Sequence, residues 1–297
     1  MLEGIITKAI SSFYSVDTEE GVFICKARGL FKNKKQSLLV GDKVNIVITD
    51  NVSKDGIIEK IIPRTNILIR PSIANVSHAL LFFSIKNPDP NLSLIDRFIV
   101  LAQEQQLKIT LCFSKVDLDD GTRLRKLLDI YKKVGYPVIS ISTYDNKNLE
   151  ELKNTLKSHI TVIAGPSGAG KSSFINTLSQ NFNIKTNSVS NKIGRGRHTT
   201  RHVELMRIGT DSWIADTPGF SSLSLSHIPY TELKEYFLEF HDYDLNCKFS
   251  NTCLHYKEPD CCVVNAVKNK EISLERYQSY LQLLEEIKET ERRKIWK

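Results

Sequence analysis

The segment Gly165-Pro166-Ser167-Gly168-Ala169-Gly170-Lys171-Ser172, followed by Ser173, fits G-x-x-x-x-G-K-[ST] and constrains the chain more than any other feature. Such a loop works only between a strand and a helix. Its backbone N–H groups must curl around a phosphate, and the helix N-terminus that follows adds its dipole. The flanks agree: residues 159–164 are apolar and strand-like, and 173–178 read as a helix. Lys171 is expected to neutralise β- and γ-phosphates, and the Ser172 hydroxyl to ligate magnesium. A chance glycine-rich turn is the alternative, and the strand–loop–helix context argues against it.

The surrounding pattern supports an α/β domain. Apolar runs at 78–85, 108–113 and 137–141 alternate with helical segments at 92–106, 122–134 and 149–157, the signature of a doubly wound, mainly parallel sheet. Two more strand-like runs, 203–208 and 212–215, close the domain near residue 225. Before it, runs at 2–9, 21–27, 38–40, 43–49 and 57–62 are separated by Gly, Asn and Asp and predict a small OB-type barrel over residues 1–63. Residues 26–35 carry Lys26, Arg28, Lys32, Lys34 and Lys35 and no acid, either a solvated loop or a phosphate-backbone contact. The divisions expected are thus 1–63, 64–225 and 226–297. In the last part 231–242 looks helical, and 274–295 forms a helix with Tyr277, Leu281, Leu284 and Ile287 on one face. The net charge, 41 Lys+Arg against 34 Asp+Glu, favours polyanionic partners, nucleic acid among them. No apolar run approaches the roughly 20 residues a membrane helix needs, and the first residues lack a secretory layout, so a cytoplasmic protein is expected.

Two further motifs concern the nucleotide. Asp216-Thr217-Pro218-Gly219 ends a strand, where an Asp can hold the magnesium shell and the Gly N–H can reach a γ-phosphate. Between it and the phosphate loop lies the basic segment 194–201, whose Thr199 or Thr200 stands where a switch threonine would reach magnesium. Base choice falls to Ser114-Lys115-Val116-Asp117, at the carboxyl end of a buried strand. The Asp117 carboxylate can accept two hydrogen bonds from a guanine edge, and the Lys115 stem can cover the ring. Ser142 and Thr143, after the next strand, could offer main-chain N–H groups to the guanine oxygen. A phosphate-loop ATPase or kinase would require Asp117 to be incidental. A pure RNA-binding scaffold would require Lys171, Ser172 and Asp216 to be vestigial.

Near the C-terminus, Cys247-x5-Cys253-x-His255-x5-Cys261 supplies three thiolates and an imidazole, a four-ligand set suited to structural zinc. Cys262 could compete with Cys261, and buried free cysteines are the alternative.

The order of motifs is the informative part: the base motif precedes the phosphate loop, whereas an ordinary GTPase has the reverse. In this permutation, and in GRGRHTT at 194–200 with GPSGAGKSS at 165–173 and DTPGF at 216–220, the chain resembles the ribosome small-subunit-dependent GTPase family, RsgA (YjeQ/YloQ). The resemblance covers nearly the whole chain. It implies an N-terminal OB barrel, a circularly permuted GTPase domain and a C-terminal helical domain with one zinc, the fourth ligand being Cys261. It also implies a monomer that binds GTP or GDP with magnesium, contacts rRNA, and acts in late small-subunit maturation with hydrolysis stimulated by that subunit. Three departures stand out. Ser114 replaces the usual Asn or Thr, which predicts a looser tie between base loop and phosphate loop. Asn146 and Asn148 replace glycines, and Asn tolerates left-handed backbone. The loop between Cys247 and Cys253 is one residue longer. Where many GTPases place a water-orienting Gln, this chain has Phe220, so His198 is the nearest candidate for that role.

Overall fold

Strands whose side chains alternate between a core and the outside build the N-terminal part. β1 (Leu2–Ile10), β2 (Phe13–Thr18), β3 (Gly21–Ala27), β4 (Lys43–Asp50) and β5 (Asp55–Ile61) close a barrel in the order β1-β2-β3-β5-β4. Strands β3 and β5 run parallel and the other four pairs antiparallel. On β3, Phe23 and Cys25 are fully buried while Val22 and Ile24 face outward, as a period of two requires. Ile6, Val16, Val44, Ile46 and Ile58 complete the interior. The sequence pattern misses β2, because Ser15 and Asp17 on its outward side break the apolar run. It also overstates 38–40, where only Val40 bridges to Ile73. Asp42 instead sits fully buried beside that stretch, held by Arg64 Nε at 2.5 Å and by the Leu39 N–H at 2.8 Å.

The structure, a computed structural model, describes residues 1–28, 37–69, 72–181, 203–215, 223–244, 247–249 and 252–295. It divides into two compact units, Met1–His78 with Leu152–Ile163 and Ser172–Ser221, and Ala79–Glu151 with Ala164–Lys171 and Ser222–Lys297. Beyond the barrel, the first unit holds the hairpin β6 (Ile67–Ile69) and β7 (Ser72–Ala74). It also holds β12 (Leu205–Gly209) antiparallel to β13 (Ser212–Ala215), which lies parallel to β11 (Ile160–Ala164). The barrel is fastened to this hairpin. Lys8 pairs with Glu204 at 2.9 Å, and Asp17, nearly buried, accepts from Arg207 Nη1 at 3.0 Å and Trp213 Nε1 at 3.3 Å.

In the second unit β8 (His78–Ser84), β9 (Lys108–Ser114) and β10 (Val138–Ser140) are ordered β10-β9-β8, with β9 and β10 parallel. All seven residues of β8 are buried, the property of a strand covered on both faces. The helices are α1 (Leu92–Glu104), α2 (Thr122–Lys133) and α3 (Leu149–Thr155), and α1 starts where the Asn91 side chain accepts from the Leu94 N–H at 3.0 Å. The helix α4 (Lys171–Asn181) follows the phosphate loop.

The C-terminal part differs from the expected helix at 231–242. Two 3-10 turns, Leu233–Tyr236 and Leu238–Phe240, precede the short α5 (His241–Asp244). Phe237 breaks the helix at φ −109°, ψ 86°, which lets both Phe237 and Phe240 turn inward onto Tyr280. After α6 (Cys262–Lys268) comes α7 (Leu274–Ile295), whose buried stripe is Tyr277, Tyr280, Leu283, Leu284 and Ile287. Leu281 stands at the edge of that stripe rather than within it. Arg276, 1% exposed, anchors α7: its guanidinium reaches Asp96 Oδ1 at 2.5 Å and Glu239 at 2.7 and 2.9 Å, and lies over Phe237.

Candidate functional site

The phosphate loop leaves β11 at Ala164 and turns back at Gly165, whose φ is +147°. A Cβ there would meet the Phe82 carbonyl oxygen at 1.9 Å, so only glycine lets the loop pass this close to β8. The Lys171 ammonium is half-buried and donates to the Gly165 and Pro166 carbonyls, both at 2.7 Å, and burial lowers its pKa from the ordinary lysine value. Its charge is thereby held against the loop that the helix α4 continues, with Ser172 and Ser173 in the first turn. Gly168, Ala169 and Gly170 complete the curl, Ala169 fully buried.

The base loop follows β9. Ser114 is buried at the end of that strand, and its hydroxyl donates to the Ala169 carbonyl at 2.5 Å. The tie expected to be loose is made by the serine itself, whose hydroxyl reaches the phosphate loop directly. Lys115 takes a left-handed backbone, and its ammonium donates to the Asn87 carbonyl, which lays the side chain's stem along the loop. Asp117 lies exposed in the 3-10 turn Val116–Leu118. Beyond β10, the buried Ser142 accepts from the Tyr144 N–H at 3.2 Å, with Thr143 between them. Asn146 and Asn148 adopt φ of +58° and +55°, the left-handed region glycine would otherwise occupy.

The metal-ligand set comes together as its residue types require. Ligand atoms of Cys247, Cys253, His255 and Cys261 lie within 4.8 Å of one another, and all four residues are buried. Sulfur–sulfur distances are 3.5, 3.8 and 3.8 Å, and His255 Nδ1 stands 3.3 Å from Cys261 Sγ. Zinc–thiolate bonds of about 2.3 Å in a tetrahedron separate sulfurs by about 3.8 Å, so the donors fit that ion. Burial pushes the Cys253 and Cys261 thiols up, a cost a divalent cation would reverse. Burial likewise pulls the His255 imidazole down, favouring the neutral, ligating form, although Asp244 opposes this. Cys262 instead opens α6.

These pieces can be set beside known proteins. The RsgA GTPase family model matches residues 61–226, and the RsgA N-terminal domain model matches 3–58. The chain belongs to the RsgA GTPase family. A small ribosomal subunit biogenesis GTPase RsgA from Alkaliphilus metalliredigens is 44% identical over 98% of this chain and all of its own length. One from Clostridium novyi is 46% identical, covering 96% of this chain and 97% of its own. Among solved structures, the circularly permuted GTPase YloQ superposes with a TM-score of 0.82 at 37% identity, covering 97% of this chain and 96% of its own. YjeQ from Thermotoga maritima gives 0.81 at 35%, covering 96% and 98%. A 50S ribosome-binding GTPase model matches 160–295, beginning at the phosphate-loop strand and leaving the base loop outside, as the permuted order requires. The chain is therefore a GTPase with a permuted fold, and GTPases work with magnesium.

The remaining expected site residues, Asp216, Gly219, His198, Thr199 and Thr200, with Phe220, lie outside the described residues. Sequence reasoning missed the partners behind the ligands. His255 Nε2 stands 3.1 Å from Asp244 Oδ1, and the buried Lys234 ammonium binds both Asp244 oxygens at 3.2 and 2.9 Å. The Asp244 carboxylate thus stands against the ring nitrogen that faces away from the cysteines, where a carboxylate can orient a ligating ring. No spacing rule links 234 and 244 to the cysteines, so no motif could have found them.

Proposed function

We propose that this GTPase acts in biogenesis of the small ribosomal subunit, binding its rRNA in the cytoplasm as a monomer and hydrolysing GTP when the subunit stimulates it late in maturation. The three parts divide the work: barrel (1–63) for RNA, permuted GTPase domain (64–225) for the switch, zinc domain (226–297) for docking. The observation that carries the nucleotide part is the Ser114–Ala169 hydrogen bond, which joins base loop and phosphate loop across 55 positions of sequence.

In this reading Asp117 pairs with the guanine donors, Lys115 covers the ring, and Ser142 and Thr143 offer N–H groups to the guanine oxygen. Lys171 exchanges the Gly165 and Pro166 carbonyls for phosphate oxygens. Ser172, Asp216 and Thr199 or Thr200 would hold magnesium, which would neutralise phosphate charge during transfer. Gly219 donates its N–H to the γ-phosphate. Water attacks the γ-phosphorus, forming one P–O bond as the bond to the β–γ bridging oxygen breaks and GDP leaves. Neutral His198 accepts a hydrogen bond from that water and orients it. Arg195, Arg197 and Arg201 bind rRNA phosphates, which couples subunit binding to the neighbouring His198. Cys247, Cys253, His255 and Cys261 would hold one zinc, which would order the C-terminal part.

The test is His198→Ala. It is expected to keep GTP affinity and subunit binding while losing most of the subunit-stimulated turnover. Stimulated turnover at the unmutated level would remove His198 from the role.

A further inference from the structure

Helix α2 bears Arg123, Arg125, Lys126, Lys132 and Lys133 against a single acid, Asp129, and all six side chains are exposed. A helix face that is merely solvated interleaves acids three or four residues from its bases, because like charges at that spacing destabilise it. Here the one acid, Asp129, stands three or four residues from Arg125, Lys126, Lys132 and Lys133, so a single carboxylate is shared among four bases and most of the positive charge is left over. The end of α6 and the turn before α7 add Lys268 and Lys270, also exposed. The two segments meet: Lys133 Nζ donates to the Lys270 carbonyl at 3.0 Å, and a groove of 380 Å³ runs between α2 and the start of α7. Arg125, Lys126, Lys133 and Lys270 line it, with Asp129 and Glu275.

Two of the nearby acids are committed, and with Asp129 and the exposed Glu271 the face still carries seven bases against four acids. Glu275 pairs with Lys126 and Asp89 with Arg123, both at 2.8 Å. Among the described residues Arg125, Lys132, Lys268 and Lys270 have no ion-pair partner. Bringing residues 123–133 and 268–270 together sets like charges near one another, which self-repulsion opposes. A polyanion on this face would remove the repulsion. The bases are spread along about 15 Å of helix, ten residues at 1.5 Å each, which suits a tract of repeated charges rather than one small anion.

We propose that this face of α2 and the 268–270 turn is a docking surface for the phosphodiester backbone of structured RNA. The proposal deepens the rRNA-binding reading above and rests on it. Recognition is by charge and position, with Arg125 able to grip a phosphate in two places and the lysines acting as point charges.

The test neutralises the four unpaired bases together, Arg125→Gln, Lys132→Gln, Lys268→Gln and Lys270→Gln, leaving the bridging Lys126 and Lys133 in place. Binding to purified small subunits and to protein-free small-subunit rRNA is measured across a salt series. Affinity for both should fall by about tenfold or more, and the slope of log affinity against log salt should flatten by about three. GTP affinity should not change. The exchange set Arg125→Lys, Lys132→Arg, Lys268→Arg and Lys270→Arg should keep the original affinity and slope. Unchanged affinity and slope in the Gln variant overturn the proposal, as does a loss confined to whole subunits, which would place a ribosomal protein there instead. If the unmutated chain binds neither subunit nor rRNA, the functional reading falls and the docking surface with it.

Discussion

Replacing Ser114 by Ala tests whether the two nucleotide loops act as one. The hydroxyl donates to the Ala169 carbonyl at 2.5 Å and lies 3.3 Å from the Phe83 carbonyl, and both Ser114 and Ala169 are buried. Without that donor the Ala169 carbonyl is left where water does not reach it, at a cost of about 1–3 kcal/mol. If the nucleotide is gripped at its base by one loop and at its phosphates by the other, that cost appears in binding. A loss of 1.4 kcal/mol is tenfold, so GTP affinity should fall by roughly 5- to 150-fold. GDP should weaken by the same factor, since Ala169 does not distinguish the γ-phosphate. The preference for GTP over inosine triphosphate should persist, because Ser114 does not read the base. Titration calorimetry with the three nucleotides is the assay, and Ser114→Thr, which keeps the hydroxyl, should bind as the original does. A folded Ser114→Ala protein whose GTP affinity stays within about twofold of the original would refute the reasoning.

Asp117→Asn should weaken GTP binding and favour xanthosine triphosphate, read by competition between the two nucleotides. Cys253→Ser should lose its zinc in metal analysis and unfold locally around residues 247–261, while the N-terminal barrel keeps its circular-dichroism signal. Arg276→Met leaves Asp96 and Glu239 without their cation in a dry setting, which should cost about 3–5 kcal/mol in urea unfolding. Adding Asp96→Leu and Glu239→Leu to that variant should recover most of the loss.

Local pattern carried much of the fold into view. β3, β13 and α7 run between the very residues their apolar spacing marks, and the strand–loop–helix around Gly165 follows from one motif. The strand β2 was hidden because its outward Asp17 is not a turn residue but the acceptor for Arg207 and Trp213, nearly 200 residues on. The segment 231–242 reads as a helix because Leu233, Phe237 and Phe240 have helical spacing, yet Phe237 abandons helical backbone to pack on Tyr280. At the site, Ser114 looks short by residue type, yet its hydroxyl reaches the Ala169 carbonyl, an approach of two loops that no local spacing shows. The same holds for Asp244, whose place beside His255 depends on the buried Lys234 and leaves no trace in the spacing.

The most direct test of the account is GTP turnover measured with and without purified small ribosomal subunits, with large subunits as the comparison. The account predicts slow hydrolysis by the chain alone, a many-fold rise with small subunits, and no comparable rise with large ones. Turnover that small subunits leave unchanged, or that large subunits raise equally, would contradict it.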